Sequence, residues 1–70
     1  MVNYQYLVRD FTDTLDKLQR VTTNDCYCWL MDRGYRRLPS RKRIQLLFIE
    51  NGLKKVGYTK RGEIIFEVIQ

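Results

Sequence analysis

The spacing of apolar positions along this chain is helical at first and alternates near the end. Over residues 3–18 the apolar side chains are Tyr4, Leu7, Val8, Phe11, Leu15 and Leu18, at i, i+3, i+4 and i+7 intervals. Arg9, Asp10, Asp13, Asp16 and Lys17 fall on the other side. This spacing predicts an amphipathic first helix over 3–18, with an acidic outer face turned away from any phosphate backbone.

Residues 19–22 break that period around Val21 and suit one short extended segment. Thr22-Thr23-Asn24-Asp25 supplies N-cap chemistry, best at Thr23, and Gly34 can take the left-handed conformation that ends a helix. A second helix is therefore expected over 24–33. Cys26, Trp29 and Leu30 form its inward stripe, so Trp29 reads as a core anchor. Pro39 lacks a backbone donor and biases Leu38 away from helix. With Ser40 as cap and Gly52 just past the end, a third helix is expected over 41–51, its core stripe being Ile44, Leu47 and Phe48.

Beyond Gly52 the period becomes two. Val56 and Tyr58 alternate before Thr59-Lys60-Arg61-Gly62, and Ile64, Phe66 and Val68 alternate after it, with Ile65, Glu67 and Ile69 on the other face. Gly62 can supply the positive φ of a short loop, so the chain closes with a β-hairpin.

Seventy residues hold one core, so residues 1–70 form a single α+β domain. No apolar run approaches the ~18–20 residues of a membrane span, and no signal-peptide pattern opens the chain, so a cytoplasmic protein is expected. Cys26 and Cys28, two apart on a helix, point about 200° apart and can neither bond nor share a metal. With no His, a zinc site is excluded, and no metal or cofactor is expected. Cys26 reads as a core residue and Cys28 as a partly exposed thiol.

Charge is unevenly placed. Residues 1–32 carry three bases and five acids (net −2), and residues 33–70 carry ten bases and three acids (net +7), which sum to the overall +5. Between Arg33 and Arg61 those ten bases meet one acid, Glu50. They fall into three pieces: Arg33, Arg36 and Arg37 after the second helix, Arg41, Lys42 and Arg43 at the start of the third, and Lys54, Lys55, Lys60 and Arg61 in the hairpin. Such an arrangement addresses a polyanion, which makes nucleic acid the expected partner.

Three helices followed by a hairpin is the order of a winged helix-turn-helix domain, with the segment at Val21 available as a third strand. Ser40-Arg41-Lys42-Arg43-Ile44, Asn51-Gly52-Leu53-Lys54-Lys55, Lys60-Arg61-Gly62 and Phe66 resemble the C-terminal winged-helix modules of phage, plasmid and virus replication proteins (primase–helicases). The likeness covers about half the chain. It implies a phage or mobile-element DNA-binding protein acting in replication or transcriptional control, duplex DNA being favoured. Ser40, Arg41, Lys42, Arg43 and Gln45 would then meet DNA from the recognition helix. Lys54, Lys55, Tyr58, Lys60 and Arg61 would meet it from the wing, and Arg36 and Arg37 from the turn.

Leu46 and Ile49 depart from that pattern, because a groove-reading helix carries polar residues on its outer side. Three readings stay open. They pack under the first helix or the hairpin; they contact protein, as a homodimer seam or a partner surface; or their face receives unstacked bases, with Tyr27, Tyr35 or Tyr58 as stacking surfaces for a single strand. Ile65 and Ile69, apolar on the outer face of the last strand, add a route to self-association through a sheet edge. No enzyme constellation is present: Ser40 is a cap, the Asp10/Asp13/Asp16 spacing is that of a solvated helix face, and no phosphate-binding glycine loop occurs.

Overall fold

The computed structural model describes residues 3–69 and has an α+β architecture. The order is α1 (Tyr4–Asp13), β1 (Arg20–Val21), α2 (Thr23–Asp32), α3 (Arg41–Glu50), β2 (Leu53–Tyr58) and β3 (Ile64–Val68). The strands form one antiparallel sheet in the order β1-β3-β2, the layout of three helices with a C-terminal wing. Val21 does supply the third strand, opposite Phe66. Among the described residues no helix is long and apolar enough to cross a membrane.

The helix boundaries follow local chemistry. Thr22, rather than Thr23, caps α2 in a reciprocal capping box: its backbone N–H donates to Asp25 Oδ2 (2.8 Å), and Asp25 N–H donates to Thr22 Oγ1 (3.4 Å). Thr23 is buried instead. Ser40 caps α3, its hydroxyl accepting from Arg43 N–H at 3.2 Å. Gly34 and Gly52 both take φ of +87° just past α2 and α3, where a side chain would be strained.

The core joins every element. Val8 and Phe11 come from α1, Val21 from β1, Cys26 and Leu30 from α2, Ile44, Leu47 and Phe48 from α3, Leu53 from β2 and Phe66 from β3. Phe48 lies at its centre. It stacks on Phe11 (5.9 Å between centroids) and meets Phe66 edge-on (5.2 Å). Trp29, half-buried, meets Phe11 edge-on at 5.7 Å, which is the anchor role expected of it.

Three further expectations are corrected. First, α1 stops at Asp13 instead of continuing to residue 18. Thr14 closes it, hydroxyl and N–H both donating to the Phe11 carbonyl (2.6 and 3.0 Å). The chain then turns into the sheet, where Leu18 N–H donates to the Val68 carbonyl (2.9 Å) and Val68 N–H to that of Gln19 (3.0 Å). Pairing with β3 thus overrides the helical period; Leu15 still packs on the core, but Leu18 is 61% exposed and Asp16 and Lys17 lie in the turn.

Second, the strict alternation expected along β2 is interrupted at Val56. Lys55 pairs with Phe66 but Gly57 with Ile65, so Val56 is the extra residue of a β-bulge. The bulge moves Tyr58, opposite Ile64, onto the face of Lys55 and Phe66. Third, the last strand is not an edge. β3 is the middle strand, with β2 on one side and β1 on the other; Ile65 is half-buried and only Ile69, past its end, is well exposed.

Leu18 carries the sole positive φ of a non-glycine among the described residues, +66°. An L-residue there costs about 1–2 kcal/mol, and glycine's extra chain entropy returns about 0.5–1 of it. Leu18→Gly is therefore expected to stabilise the domain by about 0.5–1 kcal/mol in urea denaturation, while Leu18→Ala, which keeps the strain, gives no such gain.

Candidate nucleic-acid interface

The basic residues sit on three structural pieces whose backbones are held by different means. The first is the linker from α2 to α3, residues 33–40, longer than the three or four residues of a compact helix-turn-helix. It is nonetheless tied down. Tyr4 of α1 donates its hydroxyl to the Arg37 carbonyl, and Tyr27 of α2 donates to the Pro39 carbonyl at 2.7 Å. Tyr35 and Leu38 pack their side chains onto the core. Arg36 and Arg37 are left exposed, on a backbone fastened on both sides of Leu38.

Arg33 has a different role. Its guanidinium covers the Trp29 ring at 3.7 Å from the centroid, so it caps the core. Burial pushes the Tyr27 phenol above its ordinary pKa, partly opposed by the nearby charge of Arg41. That neutral hydroxyl is the form able to donate to Pro39. The Tyr27 hydroxyl therefore ties α2 to the linker just ahead of α3.

The second piece is the start of α3. Arg41, Lys42 and Arg43 are all exposed, and the first turn holds no acid. Ser40 Oγ satisfies Arg43 N–H and the Ser40 carbonyl accepts from Ile44 N–H at 3.1 Å, leaving the Arg41 and Lys42 amides directed out of the helix end. Three cations and the positive end of the helix dipole thus coincide. Gln45 is half-buried, whereas Leu46 and Ile49 are 50% and 57% exposed. They do not pack under α1 or the hairpin, which rules out one of the three readings.

The third piece is the wing. Gly62, at φ +86°, donates its N–H to the Thr59 carbonyl (2.9 Å), and Thr59 N–H donates to the Glu63 carbonyl (2.8 Å). Glu63 N–H also donates to Thr59 Oγ1 at 3.1 Å. These bonds make a tight loop with Lys60 and Arg61 at its two central, exposed positions. Lys54 and Lys55 are not brought together. Lys54 pairs across the sheet with Glu67, itself bonded to Arg20 at 3.1 Å, on the face away from Phe66. Lys55, on the Phe66 face, holds its ammonium over the exposed Tyr58 ring, 4.8 Å from the centroid.

Arg20–Glu67 is the single ion pair among the described residues. The ten bases from Arg33 to Arg61 therefore have no carboxylate partner among the described residues. Elsewhere the chemistry is quiet. No group of three or more His, Cys, Asp or Glu could hold a metal among the described residues. Cys26 is buried, which with the charge of Asp25 pushes its thiol up to about 12, and Cys28 is exposed and free. Asp10 and Asp13 are exposed on α1, but Asp16 lies off the helix.

Sequence reasoning identified the cap, the turn and the wing tip, but it missed the two tyrosine clamps. Their partners lie 33 and 12 residues away and are main-chain carbonyls, which carry no side-chain signal. No family model, curated protein or solved structure matches this chain.

The clamps carry a measurable consequence. Tyr27→Phe removes one part-buried hydrogen bond and should lower stability by about 1 kcal/mol in urea denaturation. Backbone ¹⁵N order parameters at 36–38 and 40 should fall while those of Leu47 and Phe48 stay unchanged. A uniform fall across the core would contradict a local clamp.

Proposed function

We propose that this chain is a winged-helix DNA-binding domain that engages duplex DNA through the linker, the start of α3 and the wing tip. The observation that carries the reading is the set of exposed bases on three fixed pieces of backbone, free of carboxylate partners among the described residues. Fixed cations suit a backbone of fixed phosphate spacing, because no side chain has to leave an ion pair before binding. Arg41, Lys42 and Arg43 would sit at phosphates around the major groove with the α3 amides behind them, and Lys60 and Arg61 at a neighbouring phosphate or in the minor groove. Arg36 and Arg37 would add phosphate contacts from the linker. Lys54, beside Glu67, has the weakest claim in the set.

In this reading the domain binds without catalysing, needs no cofactor, and works in the cytoplasm in replication or transcriptional control of a phage or mobile element. The origin rests on the resemblance of residues 40–66 to the winged-helix modules of replication proteins. A second reading, single-strand binding, draws support from Tyr58, whose exposed ring sits under the Lys55 ammonium as a stacking surface with a phosphate partner at hand. A protein-interaction module would use Leu46 and Ile49.

The expected result is duplex binding that falls steeply between ~50 and 200 mM salt. Arg43→Ala and Lys60→Ala should each weaken binding to every sequence and reduce the salt slope by about one unit, measured by fluorescence anisotropy. Affinity indifferent to salt would overturn the proposal. A preference for single-stranded over duplex competitor at equal nucleotide concentration would favour the second reading.

A further inference from the structure

The outer stripe of α3 is the feature that charge leaves unexplained. Ile44, Leu47 and Phe48 seal one side of the helix in the core. Diametrically opposite run Lys42, Leu46 and Ile49 at i, i+4 and i+7, with Gln45 flanking them. Leu46 and Ile49 are about half exposed and are offered to solvent as bare aliphatic groups.

Resting on the duplex-binding reading, we infer that Leu46 and Ile49 are specificity residues that take the 5-methyl groups of thymines in the major groove. The stripe spans about 10 Å along the helix, close to three base-pair steps. Its leading residue, Lys42, is a cation in the turn expected at the phosphates, so a helix seated by that turn turns this stripe toward the base edges. The major groove offers one apolar recognition element, the thymine methyl, and aliphatic side chains match it. Gln45 beside them suits the N6 and N7 edge of the paired adenine. The predicted target is therefore A·T-rich at the steps read by α3.

A second copy of the chain is the competing occupant, but it fits less well. Two half-exposed aliphatic side chains fall far short of the roughly 800 Å² per partner of a standard interface. Each copy also carries a net charge of +5, which opposes association and favours a polyanion.

The test compares poly(dA-dT) with poly(dA-dU), duplexes of equal charge and pairing that differ by the methyl alone. Wild-type protein should bind the uracil polymer more weakly, by about fourfold for each methyl buried. Leu46→Ala/Ile49→Ala should bind both polymers equally, with the salt slope of the wild type and an unchanged melting temperature, since both positions are exposed. Equal wild-type binding to both polymers, with salt dependence intact, would overturn the inference and leave duplex binding standing. The inference fails in the same way if the double variant keeps the thymine preference. It fails too if sedimentation shows a wild-type dimer that the variant dissolves without any difference between the polymers. Absence of salt-dependent binding to either polymer would overturn this inference and the duplex reading together.

Discussion

The packing of Phe48 against Phe11 and Phe66 is the contact on which the rest of the structure depends. It joins the middle of α3 to α1 on one side and to the central strand on the other. In so small a domain one such aromatic chain is a large part of the core, and aromatic pairs add about 0.5–1.5 kcal/mol each beyond their buried area. Fixing Phe48 fixes the rotation of α3. That rotation decides which residues of α3 are core and which face outward, so a buried ring sets the orientation of Lys42, Leu46 and Ile49.

The other constraint acts at the ends of α3. A cap at Ser40, two tyrosine hydroxyls on the preceding linker, and a left-handed glycine after Asn51 hold the helix at both termini. The long linker would otherwise leave Arg36, Arg37 and the helix start free to move independently. Its tethering converts a run of charge in the sequence into a surface of defined shape. The bulge at Val56 does similar work in the sheet, bringing Lys55 and Tyr58 onto one face and leaving Lys54 on the other.

Much of this was legible in the sequence because it is local. Ser40, Gly34, Gly52 and Gly62 mark their turns through their own backbone or hydroxyl chemistry, and the stripes Cys26/Leu30 and Ile44/Leu47/Phe48 obey the helical period. The exposure of Arg41 to Arg43, and of Lys60 and Arg61, follows from charge and turn position. Apart from the α2 cap, which falls at Thr22 rather than Thr23, the failures are long-range. The apolar period of α1 continues through Leu15 and Leu18, but pairing with Val68 claims that segment for the sheet. A bulge leaves no mark in an alternating pattern, so the sequence does not reveal the register shift at Val56. Placing β3 in the centre required knowing which side β1 would take. The tyrosine clamps likewise join side chains to carbonyls distant in sequence.

If linker, α3 and wing tip form one DNA-binding surface, they must respond to DNA together. Amide chemical shifts of ¹⁵N-labelled protein, followed during titration with a short A·T-rich duplex, test this most directly. Arg36, Arg37, Arg41 to Leu46, and Lys60 to Gly62 are expected to shift together along a single binding curve, while Asp10 and Asp13 on the outer face of α1 stay still. Shifts centred on α1, or shifts at α3 without the linker and wing, would contradict a shared surface.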